Sequence, residues 1–325
     1  MPCDESPYVD AVVDTWQLPL TRENITLPSR DQLNREVDRY LDLPIYPNSL
    51  ATDSLRRAAE KFGITVMLTG CGGDEFFAGN PQSPFDLVRD GQLMAGARAL
   101  VRPFLSDRAR QLLKPVFGAR PESYPWIREE LAQRVALDDR KRSPAVPPFP
   151  DDEQRELYAI VTSLLQVLGG EIDERAAQAC GLEPAHPLFD RRVGEFGLAL
   201  PASERWRGHE QKVLLKRALT SYLPVSVAAR HDKAEFSSTY VETLEAFGGQ
   251  SRFTNLASSD AGWVNGDVIR AMYTRMIDLY SRGDGAYIAL MGPLFVVAGL
   301  EIWLERTSAR EDAPSEGTAH IGSRH

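Results

Sequence analysis

Val9, Val12, Val13 and Trp16 recur at helical spacing, so the chain opens with a predicted helix over Ser6–Trp16. Leu18, Leu20, Ile25 and Leu27 alternate loosely, which predicts a short strand with a loop. Residues Asp31 to Leu41 are amphipathic, with Leu33, Val37 and Leu41 on one face. The stretch Leu43-Pro-Ile-Tyr-Pro-Asn-Ser49 reads as irregular because of its prolines. A second helical pattern, Ala51 to Phe62, stops at Gly63, where a left-handed C-cap is expected. Next comes Ile64-Thr-Val-Met-Leu-Thr69, apolar, β-branched and too short for a helix, running into Gly70-Cys-Gly-Gly73. Helix, glycine, strand and glycine-rich turn in that order are the grammar of a parallel α/β sheet with its site at the carboxyl end of the strand.

Beyond residue 85 the pattern turns helical almost throughout, with helices predicted near 85–116, 125–136, 151–179, 189–200, 208–222, 238–247, 265–282 and 286–306. Two proline-rich breaks, Arg120-Pro-Glu-Ser-Tyr-Pro125 and Ser143-Pro-Ala-Val-Pro-Pro-Phe-Pro150, read as linkers. The most apolar stretch, Ala286 to Leu304, contains Gly292, Pro293, Gly299 and Glu301 and is expected to be a buried helix rather than a membrane span. The last 19 residues, from Thr307, are small and polar and are expected to be a disordered tail. No internal repeat is found.

Composition changes the picture little: of 325 residues, 43% are hydrophobic and 26% charged, which is ordinary for a globular chain. A net charge of −9 argues against nonspecific nucleic-acid or anionic-membrane binding. The start, Met-Pro-Cys-Asp-Glu, lacks the basic and apolar regions of a secretory signal, and the three cysteines at 3, 71 and 180 form neither a disulfide framework nor a metal-ligand spacing. Cytoplasmic residence is the expectation.

The candidate chemistry begins at Thr69-Gly-Cys-Gly-Gly-Asp-Glu-Phe-Phe-Ala-Gly79. Its glycines let backbone N–H groups approach a phosphate or an adenine edge. Asp74 and Glu75 suit Mg²⁺ on phosphate oxygens, and equally suit the capping of the helix that follows. A second segment, Gly181-Leu-Glu-Pro-Ala-His-Pro-Leu-Phe-Asp190, leads into a helix ending at Leu200-Pro201; Asp190 reads as its N-cap. The third is Gly208-His-Glu-Gln-Lys-Val-Leu-Leu-Lys-Arg-Ala-Leu219, followed by Arg230-His-Asp-Lys233. A lysine on such a helix is either a solvated face or a cation aimed at developing phosphate charge.

In order and content these three elements resemble the synthetase domain of the glutamine-hydrolysing asparagine synthetase family, with its Ser/Thr-Gly-x-Gly-Ser/Gly-Asp-Glu-x-Phe-x-Gly signature, its Glu-x-Arg-x-Pro-Phe-Leu-Asp element and its Lys-x-x-Leu-Arg…Arg-x-Lys run. The segment Tyr124-Pro-Trp-Ile-Arg-Glu-Glu-Leu-Ala-Gln-Arg-Val135 further resembles an element of bacterial relatives, including the cyclases that close lasso peptides. The resemblance implies an α/β fold: a parallel-sheet ATP-pyrophosphatase (adenine nucleotide alpha hydrolase-like) domain over residues 1–306, divided into a partial nucleotide-binding sheet at 1–84 and a large, mostly helical portion at 85–306. It implies ATP and Mg²⁺, a carboxylate substrate, and an amine or ammonia. Thr69, Gly70, Gly72 and Gly73 would contact nucleotide and Asp74 the metal; Lys212 would neutralise phosphate and Glu75 order the loop, with Arg230 and Lys233 as a further basic pair.

Two departures stand out. The family's Ser-Gly-Gly-x-Asp-Ser pyrophosphate loop and its glutaminase domain do not occur in the sequence, and Cys3 lacks the context of the glutaminase nucleophile. The expectation is an N-terminally truncated domain, working with a separate glutaminase or loop-bearing chain or left as a non-catalytic remnant. Cys71 replaces the glutamate usual in asparagine synthetases, and Ala185 the usual arginine. The first change favours a relative that joins a carboxylate to another amine, such as a lasso-type macrolactam cyclase; the thiol itself reads as a small buried hydrophobe.

Overall fold

Local capping decides where the first helices start and stop. In the computed structural model, which describes residues 4–44, 47–79, 124–140, 147–149, 152–207, 210–231, 234 and 236–311, helix α1 (Ser6–Trp16) carries a proline in its first turn. Helix α2 (Arg30–Tyr40) opens on a capping box: Ser29 Oγ accepts from the Gln32 N–H at 3.2 Å while Gln32 Oε1 accepts from the Ser29 N–H at 2.8 Å. The strand expected within Leu18–Leu27 does not form; those residues are irregular. Leu33 and Val37 are buried as expected, but Leu41 is the left-handed C-cap of α2 and stands 58% exposed. Within the proline-broken stretch, Pro47–Ala51 makes one short helix, α3. Helix α4 (Asp53–Lys61) then ends at Gly63 with φ +69°, the left-handed stop its sequence predicts.

Strand β1 (Val66–Leu68) follows, then the five-residue helix α5 (Gly73–Phe77). The helix expected near 85–116 and most of both proline-rich breaks lie outside the described residues. Helix α6 is Glu129–Arg134 and α7 Leu137–Arg140. The single helix expected over 151–179 is two, α8 (Asp152–Val161) and α9 (Leu164–Gln178), because Ser163 adopts extended backbone and its hydroxyl caps α9 through the Gln166 N–H. Strand β2 (Glu183–Ala185) and a 3₁₀ turn at Pro187–Phe189 precede α10 (Arg191–Ala199) and the short α11 (Ala202–Arg205). A two-residue hairpin of β3 (Trp206–Arg207) and β4 (Glu210–Gln211) occupies what the pattern assigns to the start of a helix, so α12 runs only from Val213 to Leu219. The remainder is α13 (Val225–Ala228), α14 (Ser238–Ala246), α15 (Ala257–Asp260), α16 (Gly266–Ser281) and α17 (Ile288–Glu311). Residues 307–311, expected in a disordered tail, thus continue the last helix.

The chain divides into two compact units that interleave along the sequence. Among the described residues, the first holds 4–25, 52–79 and those between 136 and 236, and contains both sheets. In it β1 and β2 pair in parallel, with Val66 opposite Glu183 and Leu68 opposite Ala185. Met67 packs with Ala59, Ala177, Cys180 and Leu182, so α4 and α9 cover one face, while Val66 and Leu68 are 48% and 73% exposed on the other. Helix α5 buries Phe76 and Phe77 against Val161, Val193, Leu200, Leu214 and Leu215. Gly194 and Gly197 are small because Phe76 fills their space: a Cβ on Gly197 would lie 2.7 Å from Phe76 Cβ.

The second unit is helical and is organised by α17, whose Leu294, Phe295, Val297, Ala298 and Ile302 are buried with Val241, Leu244, Ile269 and Met276. The helix is long and apolar enough by length and composition to cross a membrane, and 44% of its most apolar window is buried. The one acid in its apolar run, Glu301, is also buried, and its carboxylate accepts from the N–H groups of Ala257 (2.8 Å) and Ser258 (3.0 Å), capping α15.

An ion pair locks the first unit around Gly79. The Arg205 guanidinium, with no exposed surface, donates to Glu153 Oε1 at 3.2 Å and to the carbonyls of Gly197 (3.0 Å) and Leu200 (2.7 Å). Removing the acid strands a buried cation, so Glu153→Ala is expected to lower unfolding free energy by about 3–5 kcal/mol, read by chemical denaturation; a loss below about 1 kcal/mol would contradict the role assigned to the pair.

Asp190 caps α10, accepting from the Arg192 N–H at 2.9 Å and pairing with its guanidinium. These bonds from Arg192 lower the Asp190 carboxyl pKa to about 2. Since the unfolded value is about 3.9, the folded state binds the proton later. The cap's contribution is therefore present above about pH 4 and is lost as pH falls toward about 2. A carboxyl titration followed by NMR should place Asp190 well below the other surface aspartates; an ordinary midpoint would refute the cap.

Candidate active site

Register decides what meets at the mouth of the parallel pair. With Leu68 opposite Ala185, the next residues outward are Thr69 and His186. The Thr69 N–H donates to the Ala185 carbonyl at 3.0 Å, and its hydroxyl lies 2.5 Å from His186 Nδ1. The same Oγ1 accepts from the Cys71 N–H at 3.3 Å.

From there the chain reverses in four residues, the Gly73 N–H donating to the Gly70 carbonyl at 3.1 Å. Gly72 is required twice over. Its φ is +97°, and a Cβ there would meet the Leu188 carbonyl carbon at 2.7 Å. The Glu75 carboxylate reaches back from the first turn of α5 to accept from the Gly72 N–H at 2.8 Å, so this acid orders the turn. Gly70 differs: nothing lies within 4 Å of a Cβ built on it, leaving that backbone open to a ligand.

Lys212 reaches the turn from the other side. It begins α12 with φ +55°, an uncommon conformation for a residue other than glycine. Its Nζ is 2.7 Å from Asp74 Oδ1 and 4.0 Å from the Cβ position of Gly73. The two side chains are 33% and 44% exposed, so the pair adds little stability of its own and both groups remain open to a ligand. An exposed carboxylate beside an ammonium fits a magnesium–phosphate group, the acid taking the metal and the lysine the phosphate oxygens. Among the described residues no three His, Cys, Asp or Glu cluster to hold a metal, so Asp74 would share the ion with phosphate and water, the ordinary arrangement for Mg²⁺.

The remaining predicted residues fall elsewhere. The Arg230 guanidinium pairs with Glu5 at 2.5 Å and covers the Tyr8 ring at 4.3 Å, both on or beside α1, and its carbonyl accepts from Lys216 Nζ at 2.7 Å. Lys233 lies outside the described residues. Cys71 is half-buried within the turn, and Glu183 is on β2 with its N–H bonded to the Thr65 carbonyl at 2.8 Å. His186 was not singled out by sequence pattern, nor was the Arg205–Glu153 pair beside Gly79. Pairing the two short strands in register would have set His186 beside Thr69; a buried arginine leaves no such trace.

A parallel strand pair ending in a glycine turn, with an acid and a lysine across its mouth, is an arrangement suited to a nucleotide. The family model for asparagine synthase matches residues 2–305, and the chain belongs to that family. Its domain is of the ATP-pyrophosphatase-like kind, and its members are ATP-dependent ligases acting on a carboxylate and an amine or ammonia. No curated protein matches the chain.

The two glycines of the turn should separate in mutagenesis. Gly72→Ala is expected to cost on the order of 1–3 kcal/mol in chemical denaturation, from backbone strain and the clash with Leu188. Gly70→Ala has room and should leave stability almost unchanged while weakening nucleotide binding, read by titration calorimetry. Equal unfolding midpoints for the two variants would contradict this geometry.

Proposed function

We propose that the chain activates a carboxylate with ATP as the acyl-adenylate and passes the acyl group to an amine, with aspartate and ammonia as the default pair. The observation that carries this reading is the Lys212–Asp74 pair, 2.7 Å apart over the Gly72–Gly73 turn. Asp74 would hold magnesium, which would offset phosphate charge. Thr69 and the backbone of Gly70, Gly72 and Gly73 would cradle the nucleotide. Lys212, released from Asp74, places its ammonium on the pyrophosphate. A carboxylate oxygen attacks the α-phosphorus and the bond to pyrophosphate breaks; the amine then attacks the acyl carbon and AMP leaves. Arg230 and Lys233 are proposed as an outer basic pair, and Glu75 as the residue that holds the turn.

Cys71 supports a second reading. It stands inside the turn where asparagine synthetases usually carry glutamate, and a cysteine there has no carboxylate to do that work with ammonia. A peptide carboxylate joined to its own N-terminal amine, as in lasso cyclases, is that alternative. In either case the grip on the β- and γ-phosphates would come from a further polypeptide segment, because no Ser-Gly-Gly-x-Asp-Ser sequence occurs in the 325 residues. A cytoplasmic location fits these substrates.

ATP–pyrophosphate exchange tests the reading. Exchange should depend on an added carboxylate, aspartate for the first reading and a peptide acid for the second. Lys212→Ala should reduce it by about 10²–10³-fold, as expected for one preorganised charge on a developing anion. Absence of exchange with every carboxylate tried, with a loop-bearing partner supplied, would sink both readings.

A further inference from the structure

We propose that His186 is a positioning residue for the nucleotide turn, acting through the Thr69 hydroxyl; this rests on the ATP-site reading above. The Thr69 hydroxyl has one hydrogen and two lone pairs. One lone pair is committed to the Cys71 N–H at 3.3 Å, and His186 Nδ1 stands 2.5 Å from the same oxygen. The assignment that satisfies all three groups has the hydroxyl hydrogen on Nδ1 and the imidazole proton on Nε2. Rotation of the hydroxyl is then fixed, its second lone pair is left for a ligand, and the Cys71 amide is tied to the end of β1.

The imidazole is itself held. Pro187 follows it and keeps residue 186 out of helical backbone (φ −115°, ψ 78°). Its ring meets Phe189 edge-on at 6.5 Å, and Phe189 meets the buried Phe76 of α5 in the same way at 5.2 Å. The turn is therefore gripped at its entrance by Thr69 and His186 and at its exit by Phe76, and both grips converge on the segment 186–189. His186 Nε2 has no partner among the described residues.

Cys71 provides the readout, since its thiol lies inside the turn. The full chain would be alkylated with N-ethylmaleimide and the rate at Cys71 followed by peptide-resolved mass spectrometry, with and without ATP·Mg²⁺. His186→Phe keeps a ring and removes the acceptor; His186→Asn keeps an acceptor near the Nδ1 position; Thr69→Val removes the hydroxyl at almost constant volume. The expected result is that H186F and T69V each speed alkylation by about fivefold, the equilibrium worth of one net hydrogen bond. The double variant should be no faster than T69V alone, because T69V already removes the bond that H186F removes, and H186N should stay close to the unsubstituted chain. Unchanged alkylation in H186F, or additive effects in the double variant, would overturn the proposal. If H186F does not fold by circular dichroism, T69V compared with T69V/H186N decides: the proposal requires equal rates. Failure of ATP·Mg²⁺ to protect Cys71 in the unsubstituted chain would count against the ATP-site reading, while the variants compared without nucleotide would still judge His186.

Discussion

The first unit depends on how closely the turn at Gly72 passes the backbone of Leu188. A Cβ on Gly72 would stand 2.7 Å from one atom of that carbonyl group and 2.8 Å from the other, so no side chain fits without parting the two segments. That approach follows from parallel pairing of β1 and β2, which ends both strands at the same level. The rest of the signature extends the same fit. Phe76 drops into the space left by Gly194 and Gly197 on α10. Gly79 passes Glu153 Oε1, Arg205 and Trp206, each within 3.0 Å of where a Cβ would be. Phe77 completes the cluster. Gly72, Phe76, Phe77 and Gly79 of the signature are thus explained by interior packing, which is close to crystalline in density and intolerant of added atoms.

Two ion pairs flank this turn and do different things. Arg205 and Glu153 are buried, and the guanidinium also satisfies two backbone carbonyls, so the pair is fixed and its disruption leaves a charge without solvent. Lys212 and Asp74 are partly exposed, with Nζ 2.7 Å from Oδ1. Water competes for both, so the free energy lost when a ligand separates them is small. The proposed site would release this ion pair on taking up metal and phosphate, which suits a weak pair on a rigid base, and the buried pair helps to supply that base.

Much of this was legible in the residues. Period and glycine placed α1, α4 and β1 to within a residue or two, and Gly63 stopped α4 as its sequence implies. The helical portion of the second unit followed from apolar spacing because its core requires it. What was not legible was short or non-local. Strand β2 has three residues, two of them Pro184 and Ala185, and exists because β1 lies beside it. The antiparallel pairing of Trp206–Arg207 with Glu210–Gln211 stands ahead of a sequence with good helix formers, and Lys212 takes a left-handed backbone that no propensity favours. Leu18–Leu27 alternates without a partner strand, and alternation alone forms none. The break at Ser163 was visible in principle, as a serine followed three residues later by glutamine, the same signal that opens α2 at Ser29.

The site residues divide along the same line. Thr69, Gly72, Gly73, Asp74 and Glu75 adjoin in sequence, and Lys212 joined them by family order. His186 could be found only by asking what the register sets opposite Thr69. The turn's conformation is carried by Gly72, Glu75 and the Thr69 hydroxyl; Cys71 takes part through its backbone N–H, which donates to that hydroxyl. Position 71 is therefore free to vary in side chain while the turn keeps its shape. Such a position, inside the turn yet supplying none of the bonds that shape it, is where relatives that share a fold can differ in the substrate they admit.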